Sequence, residues 1–123
     1  MRLVVDTGVL WRPLALKKLA ESGLRVVVPA VVFAERARQV AKRGGTAAAL
    51  REALGLLGFE VEALEPSMAA RYAVTVLDDN DWRRLSRDAL IAGHLQPDDR
   101  LWTTNPKDFA MIGVPLDQVI VVG

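Results

Sequence analysis

Four acidic residues stand where a chain of this pattern can do chemistry. Asp6 directly follows the apolar run Leu3-Val4-Val5, Glu35 lies in Ala30-Val31-Val32-Phe33-Ala34-Glu35, Asp88 in Leu85-Ser86-Arg87-Asp88-Ala89, and Asp108 in Thr103-Thr104-Asn105-Pro106-Lys107-Asp108. There is no cysteine and only one histidine, His94. Thiolate ligands, disulfide frameworks, cysteine nucleophiles and histidine-rich zinc sites are therefore excluded, and any metal is bound mainly by oxygen. Carboxylates gathered in one pocket repel each other unless a cation or a proton intervenes. The chemistry this residue set could do is that of an oxygen-coordinated divalent cation.

Each acid also has a plainer reading. Asp-Thr-Gly after a strand is a common turn, so Asp6 could be a turn or cap residue. Glu35 could pair with Arg38 on an exposed helix face, and Asp88 could complement the positive end of its helix. Asn105 is suited to cap a short helix whose first position is Pro106, and Asp108 could close that cap. His94 reads as a surface or satisfied interior histidine rather than a ligand.

The elements around these residues alternate. Residues 2–5 and 24–28 read as buried strands on either side of a helix that begins at Pro13 and stops near Gly23. A second helix runs from Pro29 to Gly44-Gly45 and carries Glu35. Thr46 caps a third helix through Leu57, residues 59–63 alternate as a half-buried strand does, and a fourth helix follows Pro66. Asp78-Asp79-Asn80-Asp81 reads as a polar break, with Ser86 capping the next helix and Asp88 in its first turn. A strand at 100–103, a short helix at 105–111 and a last strand at 119–122 complete the pattern. Strands alternating with helices imply a three-layer α/β/α architecture with a mostly parallel sheet of about five strands. In such sheets, sites form where loops leave the carboxyl ends of the strands, so all four acids can reach one rim.

At 123 residues the chain accommodates one domain, residues 1–123, with a real core. Its 51% apolar and 25% charged residues are those of a globular protein. A net charge of +1 is too small to argue for nucleic acid by itself. Two local basic runs exist, Arg36, Arg38, Lys42 and Arg43, and Arg83, Arg84 and Arg87, each of which could equally be a solvated helix face. No apolar run spans a bilayer and no signal-peptide pattern opens the chain, so a cytoplasmic protein without a membrane segment is expected.

Together, Leu3-Val4-Val5-Asp6-Thr7-Gly8-Val9-Leu10, Val28-Pro29-Ala30-Val31-Val32-Phe33-Ala34-Glu35, Leu85-Ser86-Arg87-Asp88-Ala89-Leu90-Ile91-Ala92 and Leu101-Trp102-Thr103-Thr104-Asn105-Pro106-Lys107-Asp108-Phe109 resemble, in order and spacing, four segments of the PIN domain family. Gly8 stands where that family more usually has Asn or Ser, a departure that would loosen the loop beside Asp6. The resemblance implies a PIN-like fold and a metal-dependent ribonuclease that hydrolyses single-stranded RNA. It also implies the toxin of a toxin–antitoxin pair of the VapC kind, and hence an antitoxin partner and a homodimer. The helix around Met68, Tyr72 and Val76 offers apolar positions for such a dimer.

Magnesium or manganese suits these oxygen donors. Asp6 and Asp88 would be the central ligands, Glu35 a ligand or water-orienting base, and Asp108 an outer or second-metal ligand. Thr7, Thr103 and Asn105 would support them. Two rival readings belong to other classes. One is a catalytically silent PIN-like module that binds RNA or protein. The other is a phosphoacceptor domain, which would need paired acids after the first strand and an acceptor Asp after a middle strand, where this chain has Leu64-Glu65-Pro66.

Overall fold

Runs rich in valine become the inner strands, because β-branched side chains pack well on a pleated surface buried on both faces. The computed structural model describes residues 1–123 and contains β1 (Arg2–Val5), β2 (Arg25–Pro29), β3 (Phe59–Glu62), β4 (Arg100–Thr103) and β5 (Val119–Val121). Between them run α1 (Pro13–Glu21), α2 (Ala30–Lys42), α3 (Ala47–Leu56), α4 (Pro66–Ala73), α5 (Asp79–Ala92) and α6 (Pro106–Met111). Two short 3₁₀ helices, Thr7–Trp11 and Leu116–Gln118, were not legible as periodic segments. No helix is long and apolar enough to cross a membrane.

The five strands form one sheet in the order β3-β2-β1-β4-β5, with every neighbouring pair parallel. Helices cover the sheet in a three-layer α/β/α arrangement. All four residues of β1 are buried, and its Leu3, Val4 and Val5 belong to a core of 22 apolar residues that also includes Val27, Leu101, Ile91 and Phe109. The chain winds one way from β1 to β2 and β3 and the other way to β4 and β5. Strand order therefore reverses between β1 and β4, and the loops at their carboxyl ends diverge to leave a crevice.

Two local expectations are corrected. The helix bearing Asp88 starts at Asp79, not at Ser86. Asp78 is its cap, with a side chain that accepts the backbone N–H of Asp81, and Asp79 and Asp81 lie in the first turn. The polar run is thus the favourable acidic start of a helix rather than a break before one. Tyr72 of α4 and Val76 just after it pack against the core, while Val74 and Leu77, also beyond the helix, are the exposed apolar side chains.

The half of the sheet away from the rim is fastened by charge. Arg2 donates from its backbone N–H and its guanidinium to Asp99, reaches Glu62, and donates to the His94 carbonyl at 2.9 Å. His94 is an interior histidine, bonded through Nδ1 to Glu62 at 2.7 Å, and its Nε2 has no partner. Burial works against the Asp99 charge, yet the hydrogen bonds from Arg2 and from the Gln96 backbone prevail and lower its pKa.

Close approach of α4 to α5 depends on Gly93. A Cβ there would run into the Met68 carbonyl, a backbone atom that cannot turn aside. Gly93→Ala should therefore cost about 1–3 kcal/mol, the usual range for overpacking, read as a lower chemical-denaturation midpoint. An unchanged midpoint would show that the two helices can separate freely.

Candidate active site

Asp6 ends β1 at the strand-order reversal, and it is only 3% exposed. Its backbone N–H continues the ladder to the Trp102 carbonyl, so the carboxylate is fixed at the mouth of the crevice. Oδ1 accepts the Thr7 backbone N–H at 2.7 Å and caps the 3₁₀ helix, while Oδ2 accepts the Thr103 hydroxyl at 2.8 Å. Asp6 is thus a cap residue, as the plainer reading has it, and also a member of the rim.

Gly8 makes this turn tight rather than loose. A Cβ at Gly8 would lie 2.5 Å from Thr104 Oγ1, so the bare backbone lets the β4–α6 loop come down beside Asp6.

The remaining carboxylates arrive from the helices. Thr7 donates its hydroxyl to Glu35 Oε1 at 3.0 Å, tying α2 to the loop after β1. Arg87 donates to Glu35 Oε2 at 3.0 Å and to Asp88 Oδ1 at 3.1 Å, tying α5 to α2. The pairing of Glu35 is with Arg87, 52 residues away, and not with Arg38 on its own helix. Asp88 lies nine residues beyond the first residue of α5, too far along for the positive helix end to stabilise it. It shares the buried stripe with Leu85, Ala89 and Ala92 and is 2% exposed.

Burial in this stripe raises the Asp88 pKa, and the charges of Asp6 and Asp108 push it the same way against the opposing pull of Arg87. Arg87 answers in kind: burial works to lower its pKa, but Asp88, Glu35 and Asp6 raise it. Asp108 stands at the edge, where Arg84 holds one oxygen and Asn105 Nδ2 the other, each at 3.0 Å. Asn105 makes no side-chain cap to α6, against expectation. Its backbone N–H is taken by the Thr103 hydroxyl at 3.0 Å, which sets the loop so that its amide meets Asp108 instead.

Asp6, Glu35 and Asp88 are thus linked through Thr7 and Arg87, and Asp108 acts on Asp88 through its charge. As the side chains stand, no three His, Asp or Glu groups are set to share a metal ion. Arg87 and Arg84 occupy the positions of counter-cations, a role that the basic run around them did not reveal. The available signal was adjacency: Arg87 precedes Asp88, and Arg84 lies one turn before it on the same helix.

The donor chemistry nonetheless fits magnesium or manganese, for every candidate ligand is a carboxylate oxygen and the cluster carries an unmet demand for positive charge, expressed in Asp88. The Arg87 side chain is 46% exposed, so it can leave Glu35 and Asp88 without disturbing the core.

No family model matches the sequence, and no curated protein matches it. A solved structure described as a toxin–antitoxin complex from Klebsiella pneumoniae is similar in fold, with a TM-score of 0.72 and 23% identity over 98% of this chain and 97% of that one.

Two outcomes follow from the geometry. A pKa raised on folding means that the native state binds the proton more tightly than the unfolded chain. Asp88 therefore favours folding below the ordinary value of 3.8 and loses that contribution as pH climbs through its raised value. In metal-free protein, Asp88→Asn should gain on wild type in melting temperature as pH rises above the ordinary carboxylate value and Asp88 is forced to ionise. A pH-independent difference would show that the charge of Asp88 costs nothing. Asn105→Ala, having no cap to lose, should change stability by less than about 0.5 kcal/mol in denaturant titrations, and a loss near 2 kcal/mol would restore the capping role.

Proposed function

We propose that this protein is a divalent-metal-dependent ribonuclease of the PIN kind, cutting single-stranded RNA as the toxin of a toxin–antitoxin pair. The observation that carries the reading is the assembly of Asp6, Glu35 and Asp88 from three separate segments at the crevice between β1 and β4, with Asp108 beside them. The toxin role draws its support from the sequence resemblance and from the Klebsiella complex, whose fold this chain matches over nearly its full length. An antitoxin is the expected protein partner, a homodimer using the exposed Val74 and Leu77 of the α4 end is the expected assembly, and the cytoplasm the expected compartment.

Asp6 and Asp88 would hold the metal ion, with Glu35 joining them and Asp108 serving an outer position. A bound magnesium or manganese ion supplies a water of lowered pKa and charge stabilisation for a phosphoryl group. The chain's own residues do the positioning. The Thr103 hydroxyl holds Asp6 Oδ2 while the Thr7 backbone holds Oδ1, so this carboxylate does not rotate. Thr7 Oγ1 fixes the orientation of Glu35, which would accept the proton of an attacking water. Arg87 spans Glu35 and Asp88, and its half-exposed planar guanidinium would bind a phosphate oxygen brought to the same crevice.

A second reading has a specific observation behind it. Arg87 and Arg84 already neutralise Glu35, Asp88 and Asp108, which would also suit a silent RNA- or protein-binding module.

Cleavage separates the two. The purified protein should cut single-stranded RNA in magnesium or manganese and stop with chelator. Asp6→Asn, Glu35→Gln and Asp88→Asn should each slow cleavage by about 10²–10³-fold, the scale of a lost electrostatic stabiliser. Asp108→Asn should mainly raise the metal concentration required. Cleavage persisting after exhaustive chelation would sink the metal mechanism, and no cleavage in either metal would leave the silent module.

A further inference from the structure

Two tryptophans are tied to Asp6 through the backbone. Trp11 closes the 3₁₀ helix that Asp6 caps, and Trp102 gives its backbone carbonyl to the Asp6 N–H. Both line one groove of about 950 Å³ between α1 and the edge strand β5. Three cations, Arg12, Lys17 and Lys18, line it against one acid, Glu21.

The two aromatic residues are unusually equipped. Trp11 remains 38% exposed and carries the Arg36 guanidinium 3.8 Å from its ring centroid, with Arg43 at 5.2 Å. The α2 basic run is therefore not merely solvated. One part of it stacks on Trp11, while the adjacent Glu35 turns to Thr7. Trp102 has a buried indole N–H without a hydrogen-bond partner, a donor whose missing acceptor calls for an explanation.

We propose that this groove is a nucleobase subsite, in which one unpaired base of an RNA strand stacks on Trp11 and lies against Trp102 while Arg12, Lys17 and Lys18 take the flanking phosphates. Aromatic rings set in a cationic track are the general means of holding single strands, since every base offers a π-face and every linkage a negative charge. The groove shares two chain segments with the acidic rim, since Asp6 caps the 3₁₀ helix that ends at Trp11 and bonds the Trp102 backbone carbonyl. A protein segment would use the apolar wall of Ile120 and Val121 but would leave the three cations unanswered unless it were acidic.

The choice of RNA as ligand rests on the ribonuclease reading, but the test does not depend on cleavage. In chelator, binding of a short fluorescein-labelled RNA is followed by anisotropy and by quenching of tryptophan fluorescence. It is compared with the same strand lacking its bases and with the duplex. The expected results are quenching by the single strand and binding at least about tenfold tighter than the abasic strand or duplex. Trp11→Ala should lose about tenfold, and Lys17→Glu with Lys18→Glu should weaken binding and flatten its salt dependence. Both lysines are exposed, so that pair of changes spares the fold, and the abasic comparison needs no variant at all.

Equal binding of intact and abasic strands, preference for duplex, or no binding would overturn the subsite, the last being the result expected if the groove takes a protein segment. Base-dependent binding without cleavage in any metal would leave the subsite standing and remove the ribonuclease reading. Cleavage with base-independent binding would do the reverse.

Discussion

Gathering carboxylates at one rim of a parallel sheet creates repulsion, and most of the local structure around Asp6 exists to contain it. Asp6 and Asp88 are nearly inaccessible to water, which removes the solvent that would otherwise screen them. Containment takes two forms. Neutral donors, the Thr7 backbone and the Thr103 hydroxyl, fix Asp6 without cancelling its charge. Arginines cancel charge but sit loosely, since the Arg87 and Arg84 side chains are about half exposed. The cluster is thus held in place by neutral donors and balanced by half-exposed arginines.

The elements themselves were legible because their signals are local. Valine runs, Pro13, Pro66 and Pro106 at helix starts, and Thr46 as a cap all act within a few residues, and the strands and helices they mark lie within a residue or two of where these signals set them. The alternation of strand and helix was enough to yield the parallel sheet, and with it the rim where Asp6 emerges. What failed was local competition: Asp78 and Ser86 are both capping types, and the residue with two acids in the following turn prevailed. Asn105 failed for a related reason, because its amide has a carboxylate within reach and its backbone N–H already has the Thr103 hydroxyl.

The pairings that define the candidate site were not legible, because they join residues far apart in the chain. Glu35 has Arg38 three positions away, and only the packing of α2 beside α5 makes Arg87 its partner. The same holds for Trp11, whose arginines come from α2, and for the bond between Arg2 and Asp99, 97 residues apart. A basic run reads the same in sequence whether it faces solvent, an aromatic ring or a carboxylate. Only its neighbours in space tell these apart.

Asp99 and Asp88 show how the structure itself separates a fastening from a working group. Both are aspartates almost without solvent exposure, and burial pushes the pKa of each upward. At Asp99, donors from the Arg2 backbone, the Arg2 guanidinium and the Gln96 backbone converge on the two oxygens, so the ionised form is satisfied and the pKa falls. At Asp88 a single half-exposed arginine is set against burial and two further acids, and the pKa rises. The first arrangement has its counter-charge built in and gains nothing from an added cation. The second keeps its charge against burial with one half-exposed arginine, the kind of perturbed carboxylate that clusters at functional sites.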